Sequence, residues 1–336
     1  MDCAPHPPGG DHVRGALLII LLVAGSVAGL LWGQVALAPG AFWQGLVTGE
    51  GPAALMIGTI RGPRVGTALG AGAVLGLSGA LFQTLFRNPL AAPDILGFTS
   101  GAGLAVVVSI AFGLVAPMPL VAAAGGILAA LLVTGIAWRR GHRTPPLSVI
   151  LVGLGMGFFT SALSNFLMTL LPQAEAAEAQ RWVTGSLAAR DWGHVAQVWL
   201  PGAALLLAAL GQARLLETLE LGDDLAAGLG LRVEAVRRGL AATGVLLAAT
   251  GVAVAGPVPF VALMSGPLGA RITGATSVAG RLLAAAGAGA LVLMLADLVA
   301  RSALPGIQLP VGVMTGILGA PYLLWRLSRE MDRGKL

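Results

Sequence analysis

Four groups of residues in this 336-residue sequence combine charge or backbone character with a spacing that suggests a task. Arg61 and Arg64 lie three apart, so on a helix their guanidiniums share one face. Asp297 and Arg301 lie four apart, the spacing of a helical ion pair. Glu217, Glu220, Asp223 and Asp224 crowd one short segment. Asn88-Pro89-Leu90 breaks an apolar run, because Pro89 has no amide hydrogen and disfavours helix at Asn88. None of these is a catalytic set. Lys335, the single lysine, follows no glycine loop, so a GxxxxGK phosphate cradle is missing from the sequence, as are HExxH, CxxC and GxSxG. His6, His12, His142 and His194 are scattered, and Cys3 is the single cysteine, which predicts neither a metal cluster nor a disulfide. The chemistry within reach is recognition by charge and gating by backbone.

The elements that hold these groups are apolar. The chain is 56% hydrophobic and 10% charged, where a soluble domain carries about 25% charged residues. Its mean hydropathy is +0.87, which predicts many membrane spans rather than one anchor. The 50 glycines suit helices whose backbones approach closely in lipid. Charge-free runs predict spans at about 15–33, 65–86, 147–171, 195–213, 281–300 and 311–327. Two runs, 95–138 and 239–270, are too long for one helix each, and are divided by Pro117 with Pro119 and by the sequence GPVP at 256–259. The expectation is an all-α membrane bundle of ten helices. Short tails, 1–14 and 328–336, flank it, and the net charge of +5 shows no basic stripe of the kind nucleic acid requires.

Orientation follows from the basic residues. With the N-terminus inside, all but Arg61, Arg64, Arg181, Arg190 and Arg301 of the 20 lysines and arginines fall on cytoplasmic segments. The positive-inside rule therefore puts both termini in the cytoplasm. The outer loops 34–60 and 172–194 carry Trp43, Trp182 and Trp192 and are expected to lie on the membrane surface. Inside, 214–238 is the one substantial cytoplasmic element, charged, helix-prone and amphipathic. Its acidic residues would be repelled by anionic lipid, so a protein groove suits it better. Ionisable residues are nearly missing from the spans, Asp297 being the main exception. A proton- or sodium-coupled carrier needs an acid deep in its bundle, so an uphill transporter of this composition draws its energy from another subunit.

Six blocks carry a resemblance. They are RGPRVGTALGAGAVLGLSGALFQ at 61–83, NPLAAPDILGFTSGA at 88–102, LELGDDLAAGLGLRV at 219–233, GPVPFVAL at 256–263, ADLVAR at 296–301 and LPVGVMTGILGAPYLLWRL at 309–327. In this order and at these depths the chain resembles the membrane-spanning subunit of iron-siderophore and cobalamin ABC importers, the type II importer permeases. It departs at Gly266-Pro-Leu-Gly-Ala-Arg271, where Leu268 stands in place of the family's frequent His or Gln. The Phe-Val-Ala-Leu wording is closer to the siderophore branch.

The resemblance implies a permease that pairs with a second permease copy. It also implies two ATPase subunits holding the ATP and Mg, and an extracytoplasmic solute-binding protein. This chain would itself hold no cofactor and no metal and catalyse nothing. The cargo implied is a ferric siderophore, with cobalamin or haem as the alternative. Arg61, Arg64 and Arg301 would dock the binding protein, although alone they read equally well as interfacial arginines, with Asp297 pairing Arg301. Asn88, Pro89 and Leu90 would form a cytoplasmic gate, where the plain alternative is a helix-helix turn. Pro145, Pro146 and Leu147 would form a second gate at the start of the fifth span. Leu219, Leu221, Gly222, Asp223, Asp224, Ala226, Leu229 and Gly230 would contact the ATPase. Gly153, Gly157, Ser161, Ser164 and Asn165 would line the pathway or, equally, serve close packing.

Overall fold

A computed structural model describes residues 10–137, 146–304 and 306–332. The chain is a bundle of α-helices. The expected spans appear as α1 (Gly10–Leu31), α4 (Gly62–Leu85), α5 (Phe98–Ala111), α6 (Met118–Ala137), α7 (Pro146–Leu170), α9 (Trp192–Gly211), α12 (Val233–Ala255), α13 (Val261–Thr273), α14 (Val278–Ser302) and α15 (Val311–Asp332). Short helices fill the loops: α2 (Pro39–Thr48) and α3 (Gly51–Leu55) outside, α8 (Gln173–Thr184) outside, and α10 (Ala213–Glu220) with α11 (Asp223–Gly228) inside.

Among the described residues, seven helices are long and apolar enough to cross a membrane. The other three explain themselves. α5 has 14 residues and α13 has 13, so at 1.5 Å per residue they reach only about 20 Å into a core about 30 Å thick. Each is preceded by backbone that is not α-helical, the 3-10 turn Pro93–Leu96 before α5 and residues 256–260 before α13. Such backbone is tolerated at depth only where protein or water covers it, and Phe98, Val106, Val258 and Val261 are buried. α15 is long enough but carries Arg326 and Arg329 in its inner half.

α4 is the axis. The span containing it is 83% buried, against 17% for α1, α7 and α9. Its glycines make this possible. A Cβ at Gly72 would collide with the Gly289 carbonyl, at Gly76 with that of Ala285, and at Gly79 with that of Ala262. Helices α13 and α14 thus touch α4 backbone to backbone, the contact that small residues permit in lipid. The stretch Met56–Arg61 ahead of α4 is π-helical and makes one continuous rod from α3. Beside it, Trp192 Nε1 donates to the Gly58 carbonyl at 2.7 Å and Trp199 Nε1 to that of Gly66 at 2.9 Å, fastening α9 to this end of the rod.

In the outer loop 172–194 most of α8 is exposed, and the segment after it is packed against the bundle. This segment turns inward: Ser186 N donates to the Ala255 carbonyl at 2.9 Å, and Gly185, at φ 79°, touches the Pro257 carbonyl closely enough to exclude any side chain. The loop therefore caps the corner between α12 and α13. Asp191 caps the start of α9. The backbone amide of His194, and then its imidazole, hold the Asp191 carboxyl below its ordinary range.

Candidate functional site

The two ends of α4, about 36 Å apart by helix rise, each carry a charged cluster. At the outer end, Arg64 embraces Asp297: Nε donates to Oδ1 and Oδ2 at 2.9 and 3.0 Å, and Nη2 to Oδ1 at 2.8 Å. Its Nη1 reaches Gln308 Oε1 at 3.1 Å. Arg301 Nε stands 3.6 Å from Asp297 Oδ2, and its Nη2 donates to the Gly29 carbonyl. Arg61 has a different role. It donates to the carbonyls of Leu30 at 2.8 Å, Leu31 at 2.7 Å and Val35. The Leu30 and Leu31 carbonyls are ones that the end of α1 leaves without intrahelical partners, and a cation is favoured there. Arg61, Arg64 and Arg301 close the outer end of α1 onto α4 and α14.

Arg61, Arg64 and Arg301 are 4%, 8% and 5% exposed. Asp297 pairs more closely with Arg64, 233 residues away in sequence, than with Arg301 one helical turn on. Arg64 and Arg301 share this one carboxylate and Arg61 adds a third guanidinium on the neighbouring carbonyls, so the cluster carries surplus positive charge at the outer end.

At the inner end α4 stops as its sequence dictates. Asn88 N donates to the Gln83 carbonyl at 3.0 Å and Arg87 N to that of Thr84 at 3.2 Å, which closes the helix ahead of Pro89. Asn88 Oδ1 then accepts from Leu90 N at 2.9 Å, a side-chain turn that fixes the Asn88-Pro89-Leu90 corner. A cavity of about 520 Å³ opens beside this corner, lined by Gln83, Arg87, Asn88, Glu220, Arg281 and Arg326 among others. Of the second expected gate, Pro145 lies outside the described residues. Pro146 and Leu147 open α7, and Pro146 occupies the first helical position that proline favours.

The cytoplasmic element folds as an elbow. α10 ends at Glu220, Gly222 takes φ 118°, which suits only glycine, and α11 begins at Asp223; Gly230, at φ 84°, turns the chain toward α12. Leu219 and Ala226 face inward, 5% and 0% exposed, and anchor the elbow to the chain. Two residues of the acidic face expected from sequence make ion pairs within the chain. Glu220 pairs with Arg281 of α14, and Asp223 with Arg237 of α12 at 3.0 Å. The elbow also presents apolar side chains: Leu221, Leu225 and Leu229 are 59%, 63% and 69% exposed, beside the exposed Glu217 and Asp224. Leu225 was not singled out from sequence, although its i, i+4 spacing between the other two signals it.

On α7, the expected lining divides. Ser161 and Asn165 are exposed, whereas Gly153 and Ser164 are buried against the chain itself and Gly157 is half-buried beside Ser100. Ser164 Oγ donates back to the Thr160 carbonyl at 2.8 Å. Leu268 is half-buried on α13; the polar side chain packed against this helix is Gln83, whose Nε2 donates to the Leu263 carbonyl at 2.9 Å. Among the described residues no three His, Cys, Asp or Glu side chains come together as metal ligands would.

The bundle, with seven helices long and apolar enough to cross a membrane among the described residues, has the build of a multi-pass membrane protein. Residues 18–329 match the FecCD transport family, and the chain belongs to that family. It is similar to the ferric enterobactin transport system permease protein of Escherichia coli (strain K12), 37% identical over 318 residues covering 94% of this chain and 95% of the relative. The vitamin B12 import system permease protein of Yersinia enterocolitica is 34% identical over 316 residues, covering 93% and 91%. Among solved structures, one described as an inward-facing conformation of a metal-chelate type ABC transporter superposes with a TM-score of 0.80 at 26% identity, covering 94% of this chain and 99% of that one. The protein is thus a multi-pass permease of the cytoplasmic membrane.

Proposed function

We propose that this permease carries a ferric siderophore inward, driven by ATP hydrolysed on two partner ATPase subunits and supplied by an external binding protein. The observation that supports this most is its end-to-end similarity to the ferric enterobactin permease. The vitamin B12 relative makes cobalamin the second reading.

The pathway runs between two copies of the chain. α7 favours this because Ser161 and Asn165 stand exposed on a span between Phe158, Phe159 and Phe166. An amide facing lipid is unfavourable, whereas one facing a wet cleft is not. A bulky chelate needs a wide and weakly binding conduit, so recognition belongs to the binding protein. The surplus positive charge around Arg61, Arg64 and Arg301 steers acidic groups of that protein to the outer face without needing direct contact. Inside, Leu221, Leu225 and Leu229 seat in a groove of the ATPase. ATP draws the ATPase pair together, the elbows move, and the cleft alternates, with Asn88, Pro89 and Leu90 closing its inner mouth.

The energy source is tested in cells. Uptake of a radiolabelled ferric chelate is expected to vanish when the partner ATPase is deleted and to survive an uncoupler while ATP is held constant. Uptake that persists without the ATPase and collapses with the uncoupler would mean a coupled carrier instead.

A further inference from the structure

Arg87 stands where a helix end normally places glycine. The paired bonds that close α4, Asn88 N to the Gln83 carbonyl and Arg87 N to that of Thr84, require a left-handed residue between them, and Arg87 has φ 49°. Among the described residues only two other non-glycines, Ala189 and Phe260, take positive φ. A side chain is disfavoured in this conformation, so the backbone gains nothing from arginine.

The side chain accounts for the choice. Its Nη2 donates to the carbonyl of Leu219 in the last turn of α10 and stands 3.7 Å from the carboxylate of Asp223, the first residue of α11. One guanidinium thus touches both arms of the elbow across Leu221 and Gly222. It satisfies a helix C-terminal carbonyl on one arm and a carboxylate on the other. Its own backbone is the residue directly before Asn88-Pro89-Leu90. Asp223 also pairs with Arg237 of α12 at 3.0 Å, and Glu220 with Arg281 ties α10 to α14 across the cavity beside this corner.

We infer that Arg87 is the positioning residue that transmits movement of the ATPase-facing elbow to the inner gate turn. The inference rests on the reading of the elbow as the ATPase contact and of Asn88-Pro89-Leu90 as a gate. When the elbow shifts, the guanidinium moves with it, and the left-handed joint re-aims Asn88 and Leu90.

Arg87→Gly tests this sharply, because it relieves the backbone and removes only the link. The complex with ATPase and binding protein would be compared with the unsubstituted one in proteoliposomes. Arg87→Gly is expected to assemble with undiminished thermal stability and to hydrolyse ATP at the same rate. Its uptake per ATP should fall about tenfold or more, in the range of typical coupling free energies. Arg87→Lys, which keeps a donor and a charge, should recover part of the loss. In a Cys3→Ser background, alkylation of Leu90→Cys should respond to ATP when Arg87 is present and stop responding with Arg87→Gly. Undiminished uptake per ATP in Arg87→Gly would overturn the link. So would loss of hydrolysis and uptake together, which would make Arg87 part of the ATPase contact. If the complex with Arg87 intact showed no ATP-dependent uptake at all, the importer reading beneath the inference would fall first.

Discussion

Asp297→Asn is expected to destabilise the folded permease by about 3–5 kcal/mol, the cost of stripping one partner from a buried ion pair. The carboxylate accepts three hydrogen bonds from Arg64 and neutralises part of Arg301, all within a cluster almost closed to solvent. Asparagine keeps the shape and removes the charge. Arg61, Arg64 and Arg301 are then left to repel one another beside the α1 carbonyls, and the joint between α1, α4 and α14 loosens. Chemical unfolding in detergent, followed by tryptophan fluorescence, reads the loss directly. Replacing both partners by apolar residues, Arg64→Met with Asp297→Leu, should cost much less, because no charge is stranded. If Asp297→Asn unfolded at the same denaturant concentration as the parent, the outer cluster would not be the clamp described, and its arginines would be free for direct docking.

Asn88→Trp combined with Leu90→Trp is expected to reduce uptake to the background of empty vesicles while the complex assembles normally. Both positions are half-buried at the corner beside the inner cavity, so two indoles there fill the mouth without entering the helix core. Asn88→Asp is the control. It keeps an oxygen to accept from Leu90 N, so it should preserve the turn and most of the flux. Uptake by the double variant equal to the parent's would mean that the corner is an ordinary link between helices and that the exit lies elsewhere. Co-purification of the ATPase separates blockage from failed assembly.

Much of the bundle was legible because lipid imposes a simple rule on sequence. Charge-free runs and the prolines at 117, 119, 257 and 259 located all the main helices, since a charge or a kink inside a span is costly. Lengths were less legible. α5 and α13 are short because neighbouring protein, not lipid, covers the backbone beside them, and hydropathy does not distinguish the two. The π-helical stretch Met56–Arg61 left no sequence signal, because it is a matter of hydrogen-bond register.

The charged residues were found but not their partners. Spacing reveals neighbours on one helix, so Asp297 was matched with Arg301, whereas the tighter partner Arg64 lies on another helix far back in the chain. The same limit hid the inward pairing of Glu220 and Asp223. Two of the four acidic residues thus hold the elbow to its neighbours, beside exposed leucines. On α7, small residues at helical spacing mark both packing and lining, and only the assembled bundle separates Gly153 and Ser164 from Ser161 and Asn165.

The most direct test of the account is uptake into proteoliposomes holding this permease, its ATPase and its binding protein, with labelled ferric siderophore, haem and cobalamin offered in parallel. Uptake of the ferric siderophore that requires ATP on the ATPase side is the predicted result. Uptake that is indifferent to ATP for every cargo would contradict it.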